Sequence, residues 1–368
     1  MHPPTLFCRN IACPSRGLQN QGNIRVHDSL RQRYRCLTCK TTFRITDGTL
    51  FHGKKYPPET VVRVITLLSL GCPLQAIVAA FEIDERTVHS WREQAGQHCQ
   101  AFHEVQVTQQ TMDLGQVQAD EMYVKLQKRL VLWMAMALCV PTRLWLGGVL
   151  SSSREQGLLQ KLANKVKSCA QAAPILLITD GWRGYIKAWQ QAFRDPKHTG
   201  KRGRPFLLAR PQVVIAQMVK QYKKGRVIGI DQRLIAGTLP ELMGLLPEER
   251  KISTAYIERL NATFRARCHS LVRRGRGLAR QASTLESGMY LVGCLYNFCT
   301  PHQSLRREDG ACTPAMAAGL THHCWSVGEI FSYRFAPPPF VAKKKRGRKS
   351  KSEARRQQGG QSRCHQIM

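Results

Sequence analysis

Three carboxylates in this sequence could do chemistry together: Asp120 in "GQVQADEMYVKL", Asp180 in "PILLITDGWRGY" and Glu258 in "STAYIERLNATFRAR". Asp180 is the odd one. It ends an apolar run that reads as a buried strand, where an unpaired carboxylate is costly to desolvate. Asp-Gly is a common turn pair, so Asp180 could simply open a turn. Alternatively a cation meets it there. Carboxylates held side by side repel, and a hard divalent ion such as Mg²⁺ or Mn²⁺ relieves that repulsion.

The flanking elements must bring these acids together. "GQVQADEMYVKL" reads as a strand with Asp120 and Glu121 at its middle. "LVLWMAMALCV" and "RLWLGGVLS" read as the next two strands, joined by a tight turn at "VPT". Residues 154–170 are amphipathic, with Leu158, Leu159, Leu162 and Val166 on one face. "ILLITDGW" follows as a buried strand. Three antiparallel strands, a helix and a parallel strand make the opening of a ribonuclease H-like α/β fold. In that arrangement Asp120 and Asp180 are neighbours. Glu258, near the start of a later helix, is the candidate third acid, although a first-turn carboxylate also suits the helix dipole by itself. Strand alternation puts Glu121 on the face opposite Asp120, which argues against its being a ligand.

Residues 1–50 carry Cys8-x4-Cys13 and Cys36-x2-Cys39 in a turn-rich segment poor in core residues. Paired cysteines at these spacings fit a structural Zn²⁺ site, with four unrelated buried thiols as the alternative. His2 and His27 are off this pattern and read as surface histidines. Residues 56–105 read as a helix, a short helix, a turn and a helix, with Asp84 capping the third. This is the outline of a helix-turn-helix DNA-binding domain, with an ordinary three-helix unit as the alternative. Its third helix would expose Arg86, His89, Ser90, Arg92 and Gln94 for phosphate and base-edge contacts.

Composition agrees with a polyanionic partner. The 368 residues carry 56 Lys+Arg against 24 Asp+Glu, a net charge of +32, so double-stranded DNA is the first candidate. An anionic membrane surface is the alternative, but the longest apolar run, Leu130–Val140, is too short to span a bilayer. The N-terminus lacks the basic-then-apolar order of a signal peptide, so a cytoplasmic, nucleoid-associated protein is expected. The 14 cysteines are spread through the chain and read as reduced thiols or metal ligands. From Pro337 to the end at residue 368 the composition is that of a basic, disordered tail.

In order along the chain, "CRNIACP…RQRYRCLTCKTTF", the three-helix stretch, "ADEMYV", "ITDGWRGY", "YIERLNATFRARCHSLVRRGRGLAR" and "YNFCTPHQSLRREDGACTPAMAAGL" resemble the DDE transposases of bacterial insertion sequences, the IS1 type and its larger relatives. The resemblance spans most of the chain, and its specificity lies in the ordered set. It implies Asp120, Asp180 and Glu258 as the Mg²⁺-binding catalytic triad of a DDE domain over residues 113–320, and Zn²⁺ on Cys8, Cys13, Cys36 and Cys39. It also implies cleavage and strand transfer at the ends of the element, with a DNA 3′-hydroxyl as the second nucleophile, by a homo-oligomer on DNA.

Two departures accompany the resemblance. Asp180 and Glu258 lie farther apart than in the compact form of the family, so about 195–250 reads as an insertion. "KRGRP" at 201–205 and "KRGRK" at 345–349 resemble the AT-hook core, which nominates Arg202 and Arg204 for phosphate contact and Arg346 and Arg348 for the minor groove. A solvated charge run explains the tail equally well. Arg265, Arg267, His269, Arg273 and Arg274 follow Glu258 and could clamp phosphate. Trp182 and Tyr185 could stack on a base or pack against the sheet. The competing functions are a DNA-binding regulator, a nuclease of the same fold without joining activity, and a domesticated transposase.

Overall fold

A computed structural model describes residues 6–127, 130–172, 174–198, 200, 203–246, 251–271, 279–306, 308 and 310–341. Arg202, Arg273, Arg274, Arg346 and Arg348 lie outside the described residues, as do the side chain of His269 and the tail from 342 onward. The chain divides into two units, Met1–Asp47 with Ala336–Met368, and Gly48–Phe335.

The first unit has three short antiparallel strands in order: β1 (Ile24–Asp28), β2 (Arg33–Cys36) and β3 (Thr42–Arg44). Its buried cluster is small, namely Cys8, Cys13 and Cys36 with Ile24 and Cys39 against them. Phe7 is the one large buried side chain among the described residues of this unit, a small core in which four cysteines that could hold a metal ion cluster. Within this unit the returning chain lies on Gly17, where a Cβ would sit 2.6 Å from the Pro337 carbonyl oxygen.

The second unit begins with α1 (Pro58–Ser69), α2 (Leu74–Phe81) and α3 (Glu85–His103). Val61, Val64, Ile65 and Leu68 form the buried stripe of α1. Glu82, in the left-handed conformation, ends α2. The Asp84 carboxylate then caps α3, accepting from Arg86 N and Thr87 N at 2.9 and 3.2 Å.

A six-stranded mixed sheet follows, built from β4 (Gln116–Lys125), β5 (Val131–Cys139), β6 (Trp145–Ser151), β7 (Ile175–Thr179), β10 (Val213–Lys223) and β11 (Arg226–Ala236). The strand order is β11-β10-β7-β4-β5-β6. β4, β5 and β6 are antiparallel neighbours, β7 runs parallel to both β4 and β10, and β11 is antiparallel to β10. The parallel step from β6 to β7 requires a crossover, which α4 (Gln156–Cys169) supplies. β7 is buried on both faces and accordingly reads as an unbroken apolar run. α5 (Arg183–Ala192) follows, then the β8 (Arg194–Lys197) and β9 (Phe206–Ala209) hairpin.

The 195–250 stretch expected as an insertion supplies β8, β9, β10, β11 and α6 (Leu239–Leu245). β10 belongs to the main sheet beside β7. Its first half is buried, while its polar end and most of β11 are exposed, Val227, Ile228 and Ile230 among them, so burial does not follow the strand pairing.

α7 (Ala255–Arg267) carries Glu258. α8 (Ala282–Phe298) is buried over nearly all its circumference, as a central helix must be. A Cβ on its Gly293 would run into the Trp145 ring. α9 (Pro314–Ala317) and α10 (Val327–Ser332) close the unit. No helix among the described residues is long and apolar enough to cross a membrane.

Candidate metal centre

β4 pairs with β7 through Gln116↔Leu176, Val117↔Leu177 and Gln118↔Ile178. Two further steps along this register bring Asp120 level with Asp180, just where β7 ends at Thr179. Asp180 does open a turn: its Oδ1 accepts from Trp182 N at 3.0 Å. The buried Gln217 on β10 fixes that turn by donating to the Asp180 and Trp182 carbonyls at 2.9 and 3.2 Å. The same carboxylate also joins a cluster. Ligand oxygens of Asp120, Glu121 and Asp180 all lie within 4.8 Å of one another. Turn and cation site are therefore compatible uses of one residue.

Glu121 departs from the expected placement. Alternation does turn it away from Asp120, but β7 has ended here, so no neighbouring strand separates the two faces of β4 beside Asp180. Glu121 Oε2 accepts from Tyr185 Oη at 2.8 Å, and its other oxygen forms an ion pair with Arg154. The Arg154 guanidinium lies over the Trp182 and Trp133 rings, 4.4 and 4.9 Å from their centroids. Tyr185 is buried beneath. Trp182 and Tyr185 are thus occupied in holding Arg154 and Glu121.

Burial, together with the Glu121 and Asp180 charges, pushes the Asp120 carboxyl up to about 7. Burial and Asp180 also raise Glu121, opposed by Tyr185 and Arg154. These groups repel in the absence of a cation.

α7 is aligned over this site by Gln118, which lies on the Asp120 face of β4. Its Oε1 accepts from Ile257 N at 3.0 Å and its Nε2 donates to the Ser253 carbonyl at 2.6 Å. Asn261 on α7 then donates from Nδ2 to Asp120 Oδ2 at 2.7 Å. Asn261 is 2% exposed, and its Oδ1 is buried with no hydrogen-bond partner among the described residues.

Glu258 lies one turn earlier and is outside the carboxylate cluster. Its Oε1 accepts from Lys220 Nζ at 2.6 Å and Thr254 Oγ1 at 2.8 Å. Burial pushes the Glu258 carboxyl up, but Lys220 and Thr254 outweigh it and hold it below its ordinary value. Glu258 remains close enough for its charge to raise Asp120.

A cavity of about 530 Å³ opens over Asp120, Glu121 and Asp180, lined also by Lys125, Arg154 and Arg265. Arg265 therefore faces the acids, whereas Arg267, two residues on, lines a different cavity together with Arg92. Arg92 is half-buried rather than displayed on the outer side of α3. Arg86 and Arg204 are exposed. His89 pairs with Glu93 at 3.7 Å, and Ser90 Oγ accepts from Gln94 at 2.9 Å.

The donor set fits a hard divalent cation: three carboxylates and an orphaned amide oxygen against one of them. In the first unit, the Sγ atoms of Cys8, Cys13, Cys36 and Cys39 also lie within 4.8 Å of one another. Cys8 and Cys39 are 3.5 Å apart, and Cys13 and Cys36 are 3.8 Å apart. Such separations match a tetrahedral thiolate shell at a Zn–S distance of about 2.3 Å. Burial raises the Cys8 and Cys13 thiols, which a bound cation would reverse.

Gln118, Lys220, Gln217, Arg154 and Asn261 were not nominated from sequence. Two had a signal. Gln118 shares the Asp120 face by strand period, and Asn261 shares the Glu258 face by helical spacing. The chain matches no protein-family model and no curated protein.

Proposed function

We propose that this chain is a metal-dependent DNA transposase of the DDE type, which cuts DNA at the ends of its own element and joins them to a target. The observation that carries this is the meeting of Asp120, in the middle of β4, with Asp180, just past the end of the parallel strand β7, under a helix bearing Glu258 and Asn261. The strand order supports a ribonuclease H-like domain, since three antiparallel strands are followed by two parallel ones. The three helices α1–α3, joined by a short capped turn, support a helix-turn-helix, and the +32 charge supports DNA as substrate.

Asp120 and Asp180 would hold the cation, with Asn261 Oδ1 or Glu258 completing the oxygen shell. A bound divalent ion supplies Lewis-acid charge at the scissile phosphate and favours ionisation of the attacking hydroxyl. Lys220 holds Glu258 at the edge of the site until phosphate offers it a stronger anionic partner. Arg265 and Lys125 line the cavity and meet the flanking phosphates. Arg154, over the Trp182 and Trp133 rings, would pair with Glu121 and favour its ionised form against the burial that raises it. Four thiols in the first unit would hold Zn²⁺ and supply the stability that its small core cannot.

The test is cleavage of a labelled duplex bearing the element's terminal sequence, with and without Mg²⁺. Mg²⁺-dependent nicks at the element's end support the proposal. Tight binding with no cleavage under any divalent ion would favour a DNA-binding regulator.

A further inference from the structure

A second cavity, of about 290 Å³, opens where the α1–α2 turn, α3, α7 and α8 meet. It holds roughly ten waters' worth of space at about 30 Å³ each, enough for a hydrated anion. Arg92 enters from α3 and Arg267 from the last turn of α7. Among the described residues lining it there is no carboxylate. Glu93, the acid nearest in sequence to Arg92, turns to His89 at 3.7 Å and to Thr284 Oγ1 at 3.4 Å. Arg92 Nε is buried with no hydrogen-bond partner among the described residues. Among the described residues Arg267 hydrogen-bonds only Thr300 Oγ1, from Nη1 at 3.4 Å. Gln75, Ser270 and Thr284 add neutral polar groups, and most of the remaining wall is apolar.

Two partly buried guanidinium groups share a cavity whose described lining holds no carboxylate, so both carry a desolvation cost, offset at Arg92 only in part by the Glu93 charge outside the cavity. Burial indeed lowers the pKa of both. Such an arrangement is retained where an anion completes it. The fork geometry of two arginines suits a tetrahedral oxyanion better than a point charge.

We propose that this cavity binds a single phosphate group gripped jointly by Arg92 and Arg267, and that the phosphate belongs to the backbone of bound DNA. The second half rests on the functional reading above; the first does not. The placement gives the site a further consequence. Gly71, in the α1–α2 turn, lies directly on the end of α7, where a Cβ would sit 2.6 Å from the Ala266 carbonyl oxygen. A phosphate held here ties α3 to the same helix that carries Glu258 and Asn261. DNA docked on the first three helices thereby fixes the helix that covers the carboxylates.

The experiment uses the full, zinc-loaded chain and a duplex carrying the element's terminus, without divalent cation so that no strand is cut. Arg92→Met, Arg267→Met and the double variant are compared with Arg306→Met, an exposed control outside the proposed DNA-binding residues, and with Arg92→Lys. Each Met single should weaken duplex binding about tenfold and reduce the slope of log K against log salt by about one. The double should be little worse than either single, because both arginines grip one phosphate. Arg92→Lys should retain part of the affinity. The melting temperature of the free protein should stay level or rise in the Met variants, since a partly buried charge that is at most partly compensated is removed. Inorganic phosphate should raise the melting temperature of wild type and not of the double variant.

A fall in free-protein stability with duplex affinity unchanged would overturn the proposal, as would strict additivity with no phosphate response. Phosphate stabilisation with no loss of duplex affinity in the variants would overturn DNA as the source. Failure of the wild type to bind duplex at all, with the phosphate response intact, would remove the functional reading and leave the phosphate site standing.

Discussion

Lys220 Nζ lies 2.6 Å from Glu258 Oε1, close enough to the carboxylate cluster to feel the Asp120 charge. The third acid expected of the triad is thus engaged by a lysine while Asp120 and Asp180 face each other. The pair is partly exposed, 31% for Lys220 and 47% for Glu258, so its own contribution to stability is small, about 1 kcal/mol or less. Its effect on a cation should be larger. Lys220→Met should leave the melting temperature nearly unchanged while tightening Mn²⁺ binding several-fold, as titration calorimetry would show. It should also slow DNA cleavage, because Lys220 is then missing from the phosphate. Weaker Mn²⁺ binding would mean that Lys220 supports the site rather than competing with it.

Asn261 presents the converse case, a neutral amide that bonds Asp120 and aims an unpartnered oxygen into a buried space. Groups that orient metal ligands typically change metal affinity by 10–100-fold when removed. Asn261→Ala should fall in that range for Mn²⁺ while the fold survives. Asn261→Asp should destabilise the cation-free protein by adding a charge to the cluster, and Mg²⁺ should restore it. Equal Mn²⁺ affinity in wild type and Asn261→Ala would exclude a role at the site.

The Asp120 carboxyl, pushed up to about 7, has a definite pH signature. Its pKa in the folded, cation-free protein exceeds the unfolded value of about 3.9. The folded state therefore holds the extra proton, and stability falls as pH rises between these values and levels off above about 7. His103 works in the opposite direction, because burial lowers it to about 3 and makes acid destabilising. The difference between wild type and Asp120→Asn isolates the first effect. Wild type should lose stability relative to Asp120→Asn between pH 5 and 7, at no more than about 1.4 kcal/mol per unit, and Mg²⁺ should abolish the loss.

The cysteine cluster predicts a separable collapse. Chelation, or Cys36→Ser, should remove one Zn²⁺ per chain and unfold residues 6–47, whose buried groups are otherwise Phe7, three cysteines and two half-buried neighbours. Hydrogen exchange should show amide protection lost in β1–β3 and retained in β4–β7. Full protection of β1–β3 in the metal-free protein would contradict a structural zinc.

Much of the site was legible because it depends on local pattern. Asp120 sits in an alternating strand, Asp180 ends an unbroken apolar run, and the crossover helix between them has a clean apolar face; together these suffice to expect adjacency. What could not be read depends on tertiary packing. Glu121 joins the cluster where β7 ends at Thr179, one residue short of Asp180, and which side chains meet beyond a strand's end is set by the packing of Arg154, Trp182 and Tyr185 around it. Arg92 follows Trp91 and lies one helical turn beyond Val88, at the margin of the buried stripe. The packing of α8 against α3, close enough at Gly96 that a Cβ would meet Ser287, widens that stripe and draws Arg92 inward. β10 looked like inserted sequence because only its first half is buried.

The most direct test of the central claim is strand transfer by the purified chain on labelled DNA bearing the element's terminus with Mg²⁺, comparing wild type with Asp180→Asn. Asparagine can still accept from Trp182 N and keep the turn, so the fold should persist and DNA binding should match wild type. The account predicts joined products from wild type and at least a thousandfold fewer from Asp180→Asn, about 4 kcal/mol of lost transition-state stabilisation. Joining by Asp180→Asn at the wild-type rate would contradict it, and would leave Asp180 as the first residue of a turn.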